Sequence, residues 1–420
     1  MVREKRVLKK KVWIFGLVLL LLLLIIGGVA YWFYYNDKQL AQQQKQETKL
    51  LEDINSHYNE IVEINSDSSL YEKKDNKYVK VGGIASGEIV ALEKENITVD
   101  TKYFQIKDLG YYIEYKNVKK ADKLVERDQR YKKYLVFNEN VITKDKVKLY
   151  RDDKLVYTLN FSLDKEIILK DENGYYIEYL GELLFIKSED VLSTRSVQNT
   201  TEEEASGIPV TVYHFIYLNG DTSCNEMICH SENQIREHFN YLKTNEFFTM
   251  TTTELRLYLE GKLRAPKKSI LITIDDGSRA WNFIPLLEEY QVNATLFLIS
   301  GWYEKEKFAS PYMELASHTH NLHTPGVCPG GQGSPLKCAD KTSLVADLKL
   351  SREILNGTEA FCFPFYEYND YAISVLQEAG FKMAFIGGYR KAVRGDNLYK
   401  VPRIPLTDYT TLTQYANYIN

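Results

Sequence analysis

Proline and glycine are sparse in this chain, at 10 and 23 of 420 residues, which excludes a collagen-like repeat and a low-complexity linker protein. Cysteine is scarcer still: there are five, none in a CxxC pair, so the cysteines give little support to a metal site of their own. Positive charge runs short beyond the amino terminus. Residues 1–11 hold six Lys/Arg and one Glu, which leaves 47 basic against 56 acidic residues in the other 409, a balance of -9 behind the formal -4. That acidic remainder excludes a general phosphate-backbone binder, and no nucleic-acid partner is expected. What the chain does have is 44% apolar and 13% aromatic residues, enough to bury real cores. At roughly 100 to 200 residues per domain, its length calls for two to four folded units.

The longest uncharged run is Val12 to Tyr35, 24 residues behind a basic tip at 1–11 and ending in Tyr31, Trp32, Phe33, Tyr34 and Tyr35. A helix of that length spans a roughly 30 Å hydrocarbon core, and the flanking charges put the N-terminus inside. Residues 12–35 are therefore read as the signal anchor of a single-pass bacterial membrane protein whose remaining chain lies outside the cell. The competing reading is a signal peptide cleaved after Gly28-Val29-Ala30. Cysteine placement agrees with export: Cys224 and Cys229, and Cys328 and Cys338, are candidates for local disulfides, with connectivity open. Cys362, between Phe361 and Phe363, reads as a small buried apolar residue.

Residues 36–66 read as a stalk. Beyond them Gly110-Tyr-Tyr-Ile-Glu-Tyr115 returns identically as Gly174-Tyr-Tyr-Ile-Glu-Tyr179, amid short β-branched and aromatic runs, so two small all-β domains are expected at 67–123 and 139–193. The Leu-Tyr openings at Leu70-Tyr71 and Leu149-Tyr150 and the Gly-Tyr-Tyr strands resemble bacterial SH3-like domains, which implies cell-wall binding; spacer barrels without a ligand are the alternative. Thr194 to Gly207, rich in Ser, Thr and Glu, reads as a linker covering 194–207. From 208 to 420 strands and helices alternate, for example the helix Tyr371 to Ala379 closed by Gly380, which predicts an α/β fold: a (β/α) barrel, distorted or incomplete, with seven strands as an option.

Chemistry concentrates at two points. Thr273-Ile274-Asp275-Asp276-Gly277 ends an apolar strand with adjacent carboxylates, which repel unless a cation is near. Three histidines follow within six residues, in Ser317-His318-Thr-His320-Asn-Leu-His323. One carboxylate and two imidazoles suit a catalytic metal that keeps an open position for water. Asp152-Asp153, in a charged turn with no histidine nearby, lacks that context. His320, His230 and His238 carry no site argument; the last two flank or occupy a helix opened by a capping box, Ser231-x-x-Gln234.

In their order and spacing, Tyr213-His214, Asp275-Asp276-Gly277, His318-x4-His323, Phe363-Pro364-Phe365 and Val401-Pro-Arg403-Ile404 resemble the NodB-type polysaccharide deacetylases, carbohydrate esterase family 4, over residues 208–408. The early Tyr-His and the His-x4-His spacing are most similar to the branch acting on poly-N-acetylglucosamine. The resemblance implies hydrolysis of an N-acetyl amide on a cell-wall or exopolysaccharide glycan, peptidoglycan or poly-N-acetylglucosamine. It implies Asp275 as general base and Asp276, His318 and His323 as ligands of a divalent metal, Zn first, with Co, Ni or Fe admitted. It further implies the backbone N–H of Phe365 as oxyanion donor and His214 as general acid, since no histidine follows His323. Two positions depart from the pattern: Cys362 stands where many relatives have the base-orienting arginine, and Tyr366 where they have glycine. Arg403 is therefore the candidate partner of Asp275. Trp302, Tyr303 and Pro364 are candidate sugar contacts. A wall-binding protein whose barrel has lost activity is the rival reading.

Overall fold

The computed structural model describes residues 61–93, 103–107, 109–198, 202–218 and 226–420, with a helix over 24–42 and scattered neighbours. Among the described residues no helix is long and apolar enough to cross a membrane. Much of the expected anchor (12, 14, 15 and 17–23), the whole 1–11 tip, residues 50–60 of the expected stalk and Cys224 lie outside the described residues.

Two compact units emerge, residues 1–127 with 152–161, and residues 128–151 with 162–420. In the first, Ile61–Ile64 pairs antiparallel with Ile89–Ala91 and with Val118–Lys120. A second antiparallel sheet orders Lys154–Leu159, Lys77–Ile84, Ser68–Lys74, Tyr112–Glu114 and Tyr103–Gln105. Val62, Ile64, Leu70, Ile84, Phe104 and Ile113 are buried in this unit. Lys154–Leu159 falls inside the second β region expected from the repeat, yet it pairs with Lys77–Ile84. The contact needs glycine: a Cβ on Gly82 would meet the Thr158 carbonyl oxygen at 2.3 Å. The identical hexapeptides also differ in pairing. Gly174–Tyr179 is strand throughout, bonded along its length to Glu182–Lys187, whereas in the first copy only Tyr112–Glu114 is strand. Cross-strand partners, which sequence identity does not fix, decide the outcome.

In the second unit the remaining β segments join the barrel. Leu135 pairs with Arg264 and Leu169 with Leu263, and Tyr131, Ile168 and Leu169 share a core with Phe248, Leu255 and Leu259. The Arg130 guanidinium donates to both oxygens of Glu254 at 2.7 and 2.6 Å, and the Tyr134 hydroxyl donates to the same carboxylate at 2.7 Å. The stretch 194–207 is not a plain linker. Val191–Ser196 is a strand, and Ala205 is buried with its carbonyl accepting from the Tyr258 hydroxyl. Polar composition misled because its glutamates are ion-paired, Glu204 to Arg264 and Arg394. Glu254 is 4% exposed, so Arg130→Met leaves a buried carboxylate short of its cation. A stability loss of about 3 kcal/mol is expected in urea unfolding of the full chain.

The barrel has seven parallel strands: β1 (Val210–Tyr213), β2 (Ser269–Asp276), β3 (Ala294–Leu298), β4 (Met313–Ser317), β5 (Ala360–Cys362), β6 (Met383–Gly387) and β7 (Val401–Pro405). Their order around the ring is β1-β7-β6-β5-β4-β3-β2, closed by pairing of β2 with β1. Near-continuous apolar runs such as Ile270-Leu271-Ile272 suit strands covered on both faces. The helices are α1 (Glu232–Thr244), α2 (Thr252–Leu259), α3 (Ile284–Tyr290), α4 (Lys341–Ile354), α5 (Asp370–Ala379) and α6 (Leu412–Ile419). Gly380 ends α5 at φ 90°, a conformation glycine adopts without strain. At α1 only half of the expected capping box forms. Ser231 accepts from the Gln234 N–H, while the Gln234 side chain turns to the carbonyls of Thr407 and Thr410.

Candidate active site

Strand β2 delivers Asp275 and Asp276 to the C-terminal mouth of the barrel, where enzymes of this architecture place their chemistry. Asp276 takes φ 74° and Gly277 φ 111°. A Cβ on Gly277 would meet Leu298 at 2.6 Å and the Tyr303 ring at 2.8 Å, so the glycine after the carboxylates is a steric requirement. Strand β4 ends at Ser317 and hands His318 to the same mouth; Thr319 follows at φ 77°, an outlier for a β-branched residue. Phe365 and Tyr366, just past β5, both take φ 58°. Left-handed conformations of this kind persist only where the surroundings over-determine them. Here the Asp347 carboxylate clamps one such turn, accepting from the His320 and Asn321 N–H groups at 2.8 Å each.

The triad closes on one oxygen. Asp276 Oδ1 lies 3.3 Å from His318 Nε2 and 3.4 Å from His323 Nε2, with the two rings 4.9 Å apart. His318 Nδ1 is 2.8 Å from the Cys362 carbonyl oxygen, which only accepts, so Nδ1 carries a proton and Nε2, turned to Asp276, is the nitrogen left to bind a metal. Two imidazole nitrogens and a carboxylate oxygen within 4.8 Å of one another fit a divalent metal. Asp275, His318 and Cys362 form a second cluster of metal-ligand type. It fits less well, because a cation already occupies it: Arg403 donates to Asp275 Oδ1 at 2.7 Å and Oδ2 at 2.8 Å, and its Nη2 lies 2.8 Å from the Cys362 sulfur.

Arg403 is wholly buried, as is Cys362, and Asp275 is 2% exposed. Burial works against ionisation of Asp275, but the adjacent guanidinium overrides it and holds the carboxyl well below the usual carboxylate range. The guanidinium also lies over the Tyr366 ring at 5.1 Å. The two positions that depart from the family pattern, Cys362 and Tyr366, thus both pack on Arg403. His214 follows β1, its Nε2 3.9 Å from Asp275 Oδ2. Burial lowers its pKa, opposed by the charges of Asp275 and Asp276.

The Phe365 ring lies 4.5 Å from His323. Of the three candidate sugar contacts, Pro364 is buried, Tyr303 is half-buried against Gly277 and Phe308, and Trp302 is 52% exposed with its ring 5.8 Å from His323. Removing one exposed stacking ring is worth about 0.5–1.5 kcal/mol. Trp302→Ala is expected to raise KM for an oligosaccharide about two- to tenfold with kcat within twofold, as steady-state acetate release will read. His320 turns away from the triad, its Nδ1 3.2 Å from Ser300 Oγ. Cys328 and Cys338 form a disulfide, and their loop is fastened to the Glu367 carboxylate through Ser334 N–H at 2.9 Å and Lys337 at 2.9 Å. Cys229 is disulfide-bonded as well.

Residues 262–384, from before β2 into β6, match the family model described as polysaccharide deacetylase. That stretch carries Asp275, Asp276, His318 and His323, and together with the similarities that follow the match supports an N-deacetylase hydrolase. Among curated proteins the chain is similar to a poly-beta-1,6-N-acetyl-D-glucosamine N-deacetylase of Staphylococcus aureus (strain NCTC 8325 / PS 47), 26% identical over 217 residues, 46% of this chain and 73% of the relative. Among solved structures it is similar to a de-N-acetylase from Aggregatibacter actinomycetemcomitans (22% identity, TM-score 0.44, 50% of this chain and 99% of that one). A second is IcaB from Ammonifex degensii (22% identity, TM-score 0.42, 52% and 99%).

Proposed function

We propose that this protein removes acetyl groups from the N-acetylglucosamine units of poly-β-1,6-N-acetylglucosamine outside the cell, with a divalent metal, Zn first among candidates. The observation that carries the reading is the convergence of His318 and His323 on one oxygen of Asp276, beside an Asp275 kept ionised by Arg403. The choice of polymer is supported by the similarity to the poly-beta-1,6-N-acetyl-D-glucosamine N-deacetylase of Staphylococcus aureus. Asp276, His318 and His323 would hold the metal, which as a Lewis acid polarises a carbonyl and makes water acidic. Asp275, anionic at any ordinary pH, takes the proton of the attacking water. Arg403 fixes the plane of that carboxylate through two hydrogen bonds, so the proton is received in one geometry. The Phe365 N–H stabilises the oxyanion, and His214, with Nε2 3.9 Å from Asp275 Oδ2, gives the departing amine its proton. Residues 12–35 would anchor the chain in the membrane, and the upstream β segments, read as SH3-like, would bind the wall.

The test is acetate release by the full chain from poly-β-1,6-N-acetylglucosamine, chito-oligomers and peptidoglycan, after chelation and after metal is restored. Release from the first polymer, lost on chelation and regained with metal, is expected. Release from peptidoglycan alone would reassign the substrate, and no metal-dependent release from any of the three would remove the activity.

A further inference from the structure

Helix α4 carries two residues of low helix propensity in its interior, Asp347 and Ser351, four apart and so on one face. Both turn to the loop that separates His318 from His323. Ser351 is wholly buried, its hydroxyl 2.7 Å from Ser317 Oγ and 3.2 Å from Ser300 Oγ. Asp347 accepts the His320 N–H on one carboxylate oxygen and the Asn321 N–H on the other, each at 2.8 Å.

Side chains, rather than a backbone ladder, shape this loop. Each of the four N–H groups between the two histidines donates to a side-chain oxygen: Thr319 to Ser317 Oγ at 3.2 Å, His320 and Asn321 to Asp347, and Leu322 to Thr319 Oγ1 at 3.0 Å. Two carbonyls of the same stretch are held by the segment after β3, Thr319 O by the Ser300 N–H at 3.2 Å and His320 O by the Gly301 N–H at 3.0 Å. The approach is close enough that a Cβ on Gly301 would meet Asn321 Oδ1 at 2.3 Å and the His320 carbonyl oxygen at 2.6 Å. Ser351 joins the two fastenings, since it bonds both Ser317 and Ser300. Thr319 stands at φ 77°, a conformation that a β-branched residue does not hold on local preference, so the fastenings are what keep it.

Of these contacts the Asp347 carboxylate is the one that is charged, and it takes two N–H groups at once. We infer that Asp347 is a positioning residue for the metal centre: it touches none of the proposed ligands, but by fixing the 320–321 N–H groups it presets the separation of His318 and His323, so that a divalent ion at Asp276 meets both imidazoles without first ordering the loop. The inference rests on the reading of Asp276, His318 and His323 as metal ligands.

The test is made on the full chain with Zn²⁺ as the probe. Asp347→Asn keeps the volume but offers one acceptor oxygen to two N–H groups and turns an NH₂ toward the second. It should weaken Zn²⁺ binding about 10- to 100-fold, read by competition with a chromophoric chelator. In excess Zn²⁺ the site refills, and turnover should return to within about threefold of wild type. A looser helix is the purely structural alternative, and Asp340→Ala imitates it by removing the side chain that accepts the Ser343 N–H at the start of α4. That variant should lose thermal stability and keep wild-type Zn²⁺ affinity. Unchanged affinity in Asp347→Asn, or an equal loss in Asp340→Ala, would overturn the assignment. Where Asp347→Asn does not fold, hydrogen exchange in the metal-free wild type decides: the His320 and Asn321 amides should be protected before any metal is added, and exchange at unprotected rates counts against a preset loop. A wild type that binds no Zn²⁺ defeats the ligand reading and this assignment together, whereas unchanged binding in Asp347→Asn defeats the assignment alone.

Discussion

Asp275→Asn should lower acetate release from poly-β-1,6-N-acetylglucosamine about 10³-fold, near the middle of what a positioned general base contributes. Asparagine keeps the shape and one acceptor oxygen, so the loss reports the charge and not the volume. The proposed ligand set Asp276, His318 and His323 is untouched, and metal content measured by atomic emission should match wild type. A second effect accompanies the first. Arg403 is wholly buried, and without the carboxylate its charge is unmatched, so the variant should be less stable by about 3 kcal/mol at neutral pH. The acid dependence has a definite sign. Asp275 has a folded-state pKa below its unfolded value, so its contribution to stability is complete above about pH 4 and is lost as pH falls toward the folded pKa. Wild type should therefore lose more stability than Asp275→Asn between about pH 4 and pH 2, as thermal unfolding across that range will read. Equal slopes would mean that folding does not lower the pKa of Asp275.

Arg403→Met is expected to be as damaging by another route. The side chain holds both oxygens of Asp275, the Thr273 hydroxyl at 3.2 Å and the Cys362 sulfur, all in a place without solvent. Methionine matches the stem but leaves a buried anion, at about 3–5 kcal/mol. Asp275 would then escape the penalty by taking up a proton, which removes the base. Turnover should fall at least 100-fold at neutral pH and recover partly as pH is raised, while wild type shows no such recovery. Arg403→Lys tests geometry apart from charge. An ammonium cannot grip two carboxylate oxygens in one plane, so a stable protein with turnover reduced about tenfold is expected. Full activity in the Lys variant would show that charge alone suffices.

Much of this site could be read along the chain because its signals are local. Asp275-Asp276-Gly277 is a strand end with a steric glycine, and His318-x4-His323 is one loop, so spacing carried the geometry. Cys362 was different. Phe-Cys-Phe reads as packing, which is true of its sulfur in volume, but its carbonyl orients His318 and its thiol touches Arg403, and both facts depend on strands far away in sequence. Asp347 was missed for the same reason: it sits mid-helix in α4 and acts on backbone N–H groups 26 and 27 residues earlier. Gln234 met the pattern of a capping box and was claimed by the 407–410 carbonyls instead. The β regions show the limit most plainly. An identical hexapeptide predicted two like modules, but the partners available to each copy differ.

The junction between the β segments and the barrel base has a practical consequence for anyone handling the gene. A cut at codon 208, where the family likeness begins, would discard Arg130, Tyr131, Tyr134 and Leu169 and strip cover from Glu254, Leu259 and Leu263. Such a product would expose an apolar floor carrying a bare carboxylate, and a failed assay on it would say nothing about the chemistry at the opposite end. A start near codon 128 keeps the floor sealed, but the excursion at 152–161 would then lack the sheet it joins. The shortest faithful product is therefore one that retains both units.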